Sequence, residues 1–143
     1  MGFDLSTMKE TEFLRKLVQD TGCRLLLDVS NVAVSAHNMG FDAHQYIDDF
    51  PAHAVVEIHL GGFTPEEDEA TPGAEVWIDT HAAAIAERSW DLYAYTVRRW
   101  GAKPTLIEWD NELPSLATLL DEAAHADRIA AGIVPEAVHA KAR

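Results

Sequence analysis

Thr105-Leu106-Ile107-Glu108-Trp109-Asp110 is an apolar run that ends abruptly in carboxylates. It reads as a short buried strand, and a carboxylate at its end is costly unless something pairs with it. Three earlier stretches share the form. Arg24-Leu25-Leu26-Leu27-Asp28-Val29 closes on Asp28, and Val55-Val56-Glu57-Ile58-His59-Leu60 closes on His59. Val76-Trp77-Ile78-Asp79-Thr80-His81 closes on Asp79 and His81. Each run therefore delivers an acid or an imidazole at its C-terminal end.

Between these runs the pattern is mostly helical. Thr7-Met8-Lys9-Glu10 has capping-box spacing, and Phe13, Leu14, Leu17 and Val18 follow it at helical intervals up to Gly22. Ser30 to Asp42 reads as a polar loop broken by Gly40. A short helix is expected over Ala43 to Asp49, ended by Phe50-Pro51. Phe63 to Gly73 reads as loop. Trp90, Tyr93, Ala94, Val97 and Trp100 form an amphipathic stripe ended by Gly101. Pro114 suits the first turn of a last helix, whose buried face is expected to be Leu116, Leu119, Leu120, Ala123 and Ala124. After Gly132 a frayed tail is expected.

This alternation predicts an α/β fold with parallel strands over Arg24–Val29, Ala54–Leu60, Glu75–Asp79 and Thr105–Trp109, neighbouring in that order. Asp28 to His59 is 31 residues and Asp79 to Glu108 is 29, each near one βαβ unit. His59 to Asp79 is only 20, so that connection reads as a loop without a full helix.

The chain has 143 residues, enough for one domain with a real core. Its formal net charge of −13 argues against nucleic acid and anionic membranes as partners, since both demand a basic face. Glu66-Glu67-Asp68-Glu69 reads as a solvated loop. No apolar run approaches the roughly 20 residues of a membrane span. Met1 to Glu10 does not have the pattern of a signal peptide, and Cys23 is the single cysteine. Both fit a cytoplasmic setting. Cys23 reads as a buried thiol at the far end of its strand from Asp28.

In parallel α/β folds, ligands bind at the C-terminal ends of strands. Asp28, His59, Asp79, His81 and Glu108 all fall there. Side chains alternate along a strand, so Asp79 and His81 share a face, as do Glu57 and His59. Singly, each has an ordinary alternative: Asp28 as a loop cap, His59 as a core histidine, Glu108 and Asp110 as caps of the last helix. Jointly, at one end of one sheet, they point to a metal site. Carboxylate and imidazole donors suit iron(II), manganese or zinc, and the lack of further cysteines excludes a Cys-rich structural zinc site. His37 lies in the loop and its role stays open. His44, His53, His125 and His139 read as surface residues. Trp90 and Trp100 read as core. Gly61-Gly62 alone does not make a phosphate loop, and no Ser-His-Asp set is visible.

These segments resemble a known family. Leu26-Leu27-Asp28-Val29-Ser30-Asn31-Val32 and Val34-Ser35-Ala36-His37-Asn38 are similar to the segment after the fifth barrel strand of the multinuclear non-haem iron-dependent oxidases. Glu57 to Gly62, Ile78 to His81 and Leu106 to Asp110 are similar to the three segments that follow. The resemblance runs from about Thr7 to Ala131. It implies half of a TIM-type (β/α)8 barrel, its last four βα units, with two or three irons at the C-terminal mouth. It further implies metal ligation by Asp28, His59, Asp79, His81 and Glu108, with Asn31 as a further ligand. Family members oxidise a cysteine of a ribosomally made precursor peptide with dioxygen, often with a second protein that presents the peptide, as in methanobactin-type pathways.

A full barrel needs roughly 200 residues. The family's upstream histidines and glutamate-bearing strand have no counterpart here, so the chain is expected either to need the N-terminal half or to associate with itself. Two other readings stand beside this one. One is a divalent-metal isomerase or hydrolase of the sugar-isomerase barrel type. The other is a non-catalytic half-barrel that dimerises or binds a partner.

Overall fold

A computed structural model describes residues 6–132 of the chain; the frayed tail expected at 133–143 lies outside the described residues. Helix α1 spans Glu10–Thr21 and closes on Gly22, whose φ of 70° lets its N–H return to the Val18 carbonyl. The expected capping box does not form: Lys9 is the N-cap and no side chain caps the helix. Val18 is buried, but Phe13 is 52% exposed, so the apolar stripe is narrower than its spacing suggests.

Strand β1, Leu25–Asp28, runs directly into helix α2, Val29–Met39. This corrects the polar loop expected from Ser30 to Asp42. Asp28 supplies the cap: its Oδ1 accepts from the Asn31 N–H at 2.8 Å. Val29, Val32 and Ala33 then bury one face, while Asn31, His37 and Asn38 stay exposed on the other. Those outward polar residues gave the stretch its loop-like look.

Helix α3, Ala43–Asp49, is capped by Asp42, whose carboxylate accepts from the His44 and Gln45 N–H groups. A 3-10 turn at Ala52–Ala54 leads into β2, Val55–Gly61. The remaining elements are β3 (Thr64–Glu67), β4 (Glu75–Ile78), α4 (Glu87–Trp100), β5 (Thr105–Glu108) and α5 (Leu116–Gly132).

The described strands form two sheets. One is parallel, in the order β1-β2-β5; the other is an antiparallel β3-β4 pair. The expectation of four neighbouring parallel strands is therefore corrected. The reason is the short link after His59. A parallel neighbour needs a crossover of a dozen or more residues, usually a helix, whereas an antiparallel one needs only a turn. Residues 68–74 supply that turn through backbone bonds from Asp68 N to Ala74 O and from Ala74 N to Thr71 O, both 2.9 Å. The fold is thus α/β with a three-stranded parallel sheet, as in part of an α/β barrel.

Leu27, Ile58 and Leu60 on the sheet pack with Val29, Ile47 and Tyr93 in one core cluster. Ile58, Leu60, Val29 and Ile47 are fully buried, each worth about 1.5–3 kcal/mol. In the pairing register, Asp28 stands beside His59, and His59 beside Leu106. These residues and Leu26 therefore lie on the opposite face of the sheet, where Leu26 and Leu106 are 46% and 45% exposed.

Helix α5 is turned differently from expectation. Ala126 is buried and Ile129 packs on the core, but Leu116 and Leu120 are 69% and 59% exposed. Pro114 precedes the helix, and the Ser115 hydroxyl accepts from the Thr118 N–H at 3.2 Å. No helix of the described residues is long and apolar enough to cross a membrane.

Candidate metal centre

β1 and β2 place Asp28 beside His59 at the C-terminal end of the parallel sheet, and β5 places Glu108 beside Gly61. Glu108 Oε2 lies 3.1 Å from His59 Nδ1, and Glu57 Oε1 lies 3.4 Å from His59 Nε2. The cap and ligand readings of Asp28 are compatible: its Oδ1 caps α2 and the carboxylate still faces the cluster.

Asp79 and His81 reach the same place from outside the sheet. Beyond β4 the chain turns so that His81 N donates to the Gly62 carbonyl at 2.9 Å, and Asp110 N donates to the His81 carbonyl at 2.9 Å. The segment at His81 is thus wedged between the continuations of β2 and β5. His81 adopts φ 49°, a left-handed conformation that is uncommon outside glycine and frequent at functional sites. The two glycines before the hairpin make room for it. A Cβ on Gly61 would meet the His81 ring at 2.6 Å, and one on Gly62 would sit 1.9 Å from the Ala83 carbonyl oxygen. Gly61 N is anchored on the buried Ser30 hydroxyl at 3.1 Å.

Three overlapping triads result: Asp28, Asp79 and His81; Asp28, His59 and Glu108; and His81, Glu108 and Asp110. In each, the potential ligand atoms lie within 4.8 Å of one another. Asn31 Nδ2 donates to Asp79 Oδ2 at 3.0 Å, so Asn31 borders the cluster by holding one of its carboxylates. His37 stands apart. Its ring stacks on Trp77 at 3.9 Å, and Nε2 contacts the Glu75 carbonyl at 3.2 Å. Of the other histidines, His44 and His53 are exposed, but His125 packs on Trp90 at 4.4 Å, and His139 lies outside the described residues. Cys23 is half-buried rather than buried.

The cluster fits a cation. Asp79 Oδ1 and His81 Nε2 are 3.1 Å apart, yet both are buried and neither has a hydrogen-bond partner. The distance satisfies an ion pair, but the directions do not make a hydrogen bond. Two donors at about 2.1 Å from one ion stand about 3 Å apart when the angle between them is near 90°. The acid excess has the same meaning. Burial raises the Asp28 pKa, with the Asp79 and Glu108 charges adding to it against the Asn31 N–H and His81. For His81, burial acts to lower the pKa, but Asp79, Asp110, Glu108 and Asp28 together hold it above the ordinary histidine value. A metal ion would offset the mutual repulsion of these carboxylates.

Asp110, whose position before the last helix reads as a cap, instead stands in the cluster with His81 and Glu108. The signal was present: Glu108 and Asp110 repeat the i, i+2 spacing of Asp79 and His81. The role of Gly61-Gly62 was not readable, because it depends on a segment 20 residues away.

The chain is similar to several longer relatives. It is 46% identical over 121 residues to a UPF0276 protein of Vibrio parahaemolyticus, covering 85% of this chain and 41% of the relative. It is 45% identical over 143 residues to one of Rhizobium meliloti, covering 97% and 46%. A Caulobacter sp. relative is 48% identical over 121 residues, covering 85% and 41%. The chain thus spans less than half the length of these relatives. The family profile described as RiPP precursor modification enzyme MbnB/TglH/ChrH matches residues 1–131. The chain belongs to this family.

Proposed function

We propose that this chain forms part of an iron-dependent oxidase that modifies a cysteine of a ribosomally made precursor peptide. The observation that carries the reading is the pair of triads joined at Asp28, one with Asp79 and His81 and the other with His59 and Glu108. Shared ligands at this spacing suit more than one ion. Asp28, His59, Asp79, His81 and Glu108 would hold the metal, and Asn31 would orient Asp79 or join the ligands. Oxygen and nitrogen donors favour iron(II), with zinc or manganese as substitutes. Iron bound here supplies the one-electron chemistry that couples a thiol to dioxygen. Leu26 and Leu106, on the same face as the ligands, are about half exposed and present an apolar surface beside the centre.

Family membership favours this reading over the sugar-isomerase type. The open sheet face supports a further proposal, that the chain works with a covering partner. That partner is either a second copy or a polypeptide equivalent to the remaining length of the relatives. A peptide-presenting protein would be a separate partner. The non-catalytic reading shares this feature and differs only in lacking turnover.

The test is reconstitution with iron(II) under anaerobic conditions, followed by metal analysis. Wild-type protein is expected to retain iron. His59→Ala and Glu108→Ala are each expected to lower the iron content while the helical circular dichroism signal is kept. Full retention by both variants, or no uptake by the wild type, sinks the reading.

A further inference from the structure

His81 is held on two sides, and one of them is built from residues 110 and 111. Asp110 N and Asn111 N both donate to the His81 carbonyl, at 2.9 and 3.2 Å. Asn111 Nδ2 donates to the Thr80 carbonyl at 3.0 Å. The Asp110 carboxylate adds a contact of its own, Oδ2 to His81 Nδ1 at 3.2 Å. A second carboxylate oxygen, Glu108 Oε2, is 3.7 Å from that nitrogen, beyond hydrogen-bond range. Glu108 instead contacts His59 Nδ1 at 3.1 Å. Each imidazole therefore has its own carboxylate at Nδ1.

We infer that Asp110 is a positioning residue that fixes the ring of His81, accepting a hydrogen bond from Nδ1–H and thereby presenting Nε2, beside Asp79, as an unprotonated lone-pair donor for a metal ion. The inference rests on the metal-centre reading for its purpose. A neutral imidazole carries one N–H, so a carboxylate at Nδ1 selects the tautomer whose Nε2 lone pair is free. Nε2 is the atom that lies buried beside Asp79 Oδ1 without a hydrogen bond. The backbone bonds from 110 and 111 hold the main chain of His81 at its φ of 49°, and the side chain of Asp110 holds the ring. Partners of this kind tune metal affinity by about 10–100-fold.

Substitution separates this role from ligation. The amide oxygen of Asp110→Asn can still accept from Nδ1, whereas Asp110→Ala cannot. Nitrogen-15 NMR of chelator-treated protein, at a pH where His81 is neutral, reads the tautomer directly. The Nδ1–H form is expected in the wild type and in Asp110→Asn, and a shift toward Nε2–H in Asp110→Ala. Iron(II) affinity is expected to fall about 10–100-fold in Asp110→Ala and to stay within a few-fold of wild type in Asp110→Asn. An Nε2–H form in the wild type overturns the inference, as does an equal loss of affinity in both variants, which would make Asp110 a ligand. The NMR measurement needs no metal, so it tests the clamp even if the wild type takes up no iron. The Asp110 side chain is 64% exposed, and its backbone bonds survive both substitutions, so folding is expected to be kept.

Discussion

His81 Nε2 and Asp79 Oδ1 face each other at 3.1 Å, buried and without a hydrogen bond. The pair is a liability in the absence of an ion, because an unsatisfied buried polar group costs about 1–3 kcal/mol. The φ of 49° at His81 adds backbone strain. At a pH where the imidazole is neutral, His81→Gly removes the strain and the unpartnered Nε2 and leaves the Asp79 carboxylate in place, since glycine adopts positive φ freely. After chelation, this variant is expected to melt at or above the wild-type temperature, while iron(II) uptake falls. A chelated variant that melts well below wild type would show that His81 is chiefly a packing residue.

Gly61 and Gly62 make separable predictions. The three atoms nearest a Cβ at Gly61 all belong to the His81 ring, a side chain that Gly61→Ala would displace from its clamp, so metal uptake should fall with little change in stability. The Cβ of Gly62→Ala would strike the Ala83 carbonyl at 1.9 Å, and that obstacle is backbone. Overpacking of this kind costs about 1–3 kcal/mol. Urea denaturation of both variants, with metal analysis alongside, checks the order. Equal stability of the two would contradict it.

What was legible in the sequence was chemistry at strand ends. Asp28, His59 and Glu108 could be placed because a strand carries its register with it, and each ends an apolar run. Asp79 and His81 were placed at the right end of the sheet for an incomplete reason. Their strand does not join the parallel sheet; they arrive through a hairpin and one wedge of backbone at His81. Helix α2 was hidden because its exposed face carries Asn31, His37 and Asn38, and its cap, Asp28, was already assigned to the site. For Asp79 and His81 the missing information was a contact between distant segments, which local periodicity does not contain.

Tyr46 gives a pH prediction independent of the metal. Burial raises its pKa, and the neighbouring Glu10 carboxylate, through charge and a hydrogen bond, raises it further. The folded pKa is above the unfolded value of about 10. The stability linked to this group is therefore fully present below pH 10 and is lost as pH rises toward the folded value, because only the unfolded chain releases the proton. Tyr46→Phe cannot ionise and should flatten the alkaline limb of a stability–pH curve. An unchanged limb in the variant would assign the loss to other groups.

The last prediction concerns the open face of the sheet. Leu26 and Leu106 lie on the ligand-bearing face and are about half exposed, and β1 and β5 each have an unpaired edge among the described residues. Apolar groups beside free strand edges favour association. Concentrated protein is expected to form dimers or larger species by light scattering. Leu26→Lys and Leu106→Lys change exposed positions, so each should alter monomer stability by no more than about 0.5 kcal/mol. Each should nonetheless shift the equilibrium toward monomer, since a lysine on that face would have to lose its hydration to be covered. If the wild type stays monomeric at all accessible concentrations, self-association is ruled out, and the proposed cover is a different polypeptide. If it associates and both variants associate equally well, the contact lies elsewhere, with the exposed Leu116 and Leu120 of α5 the next surface to change.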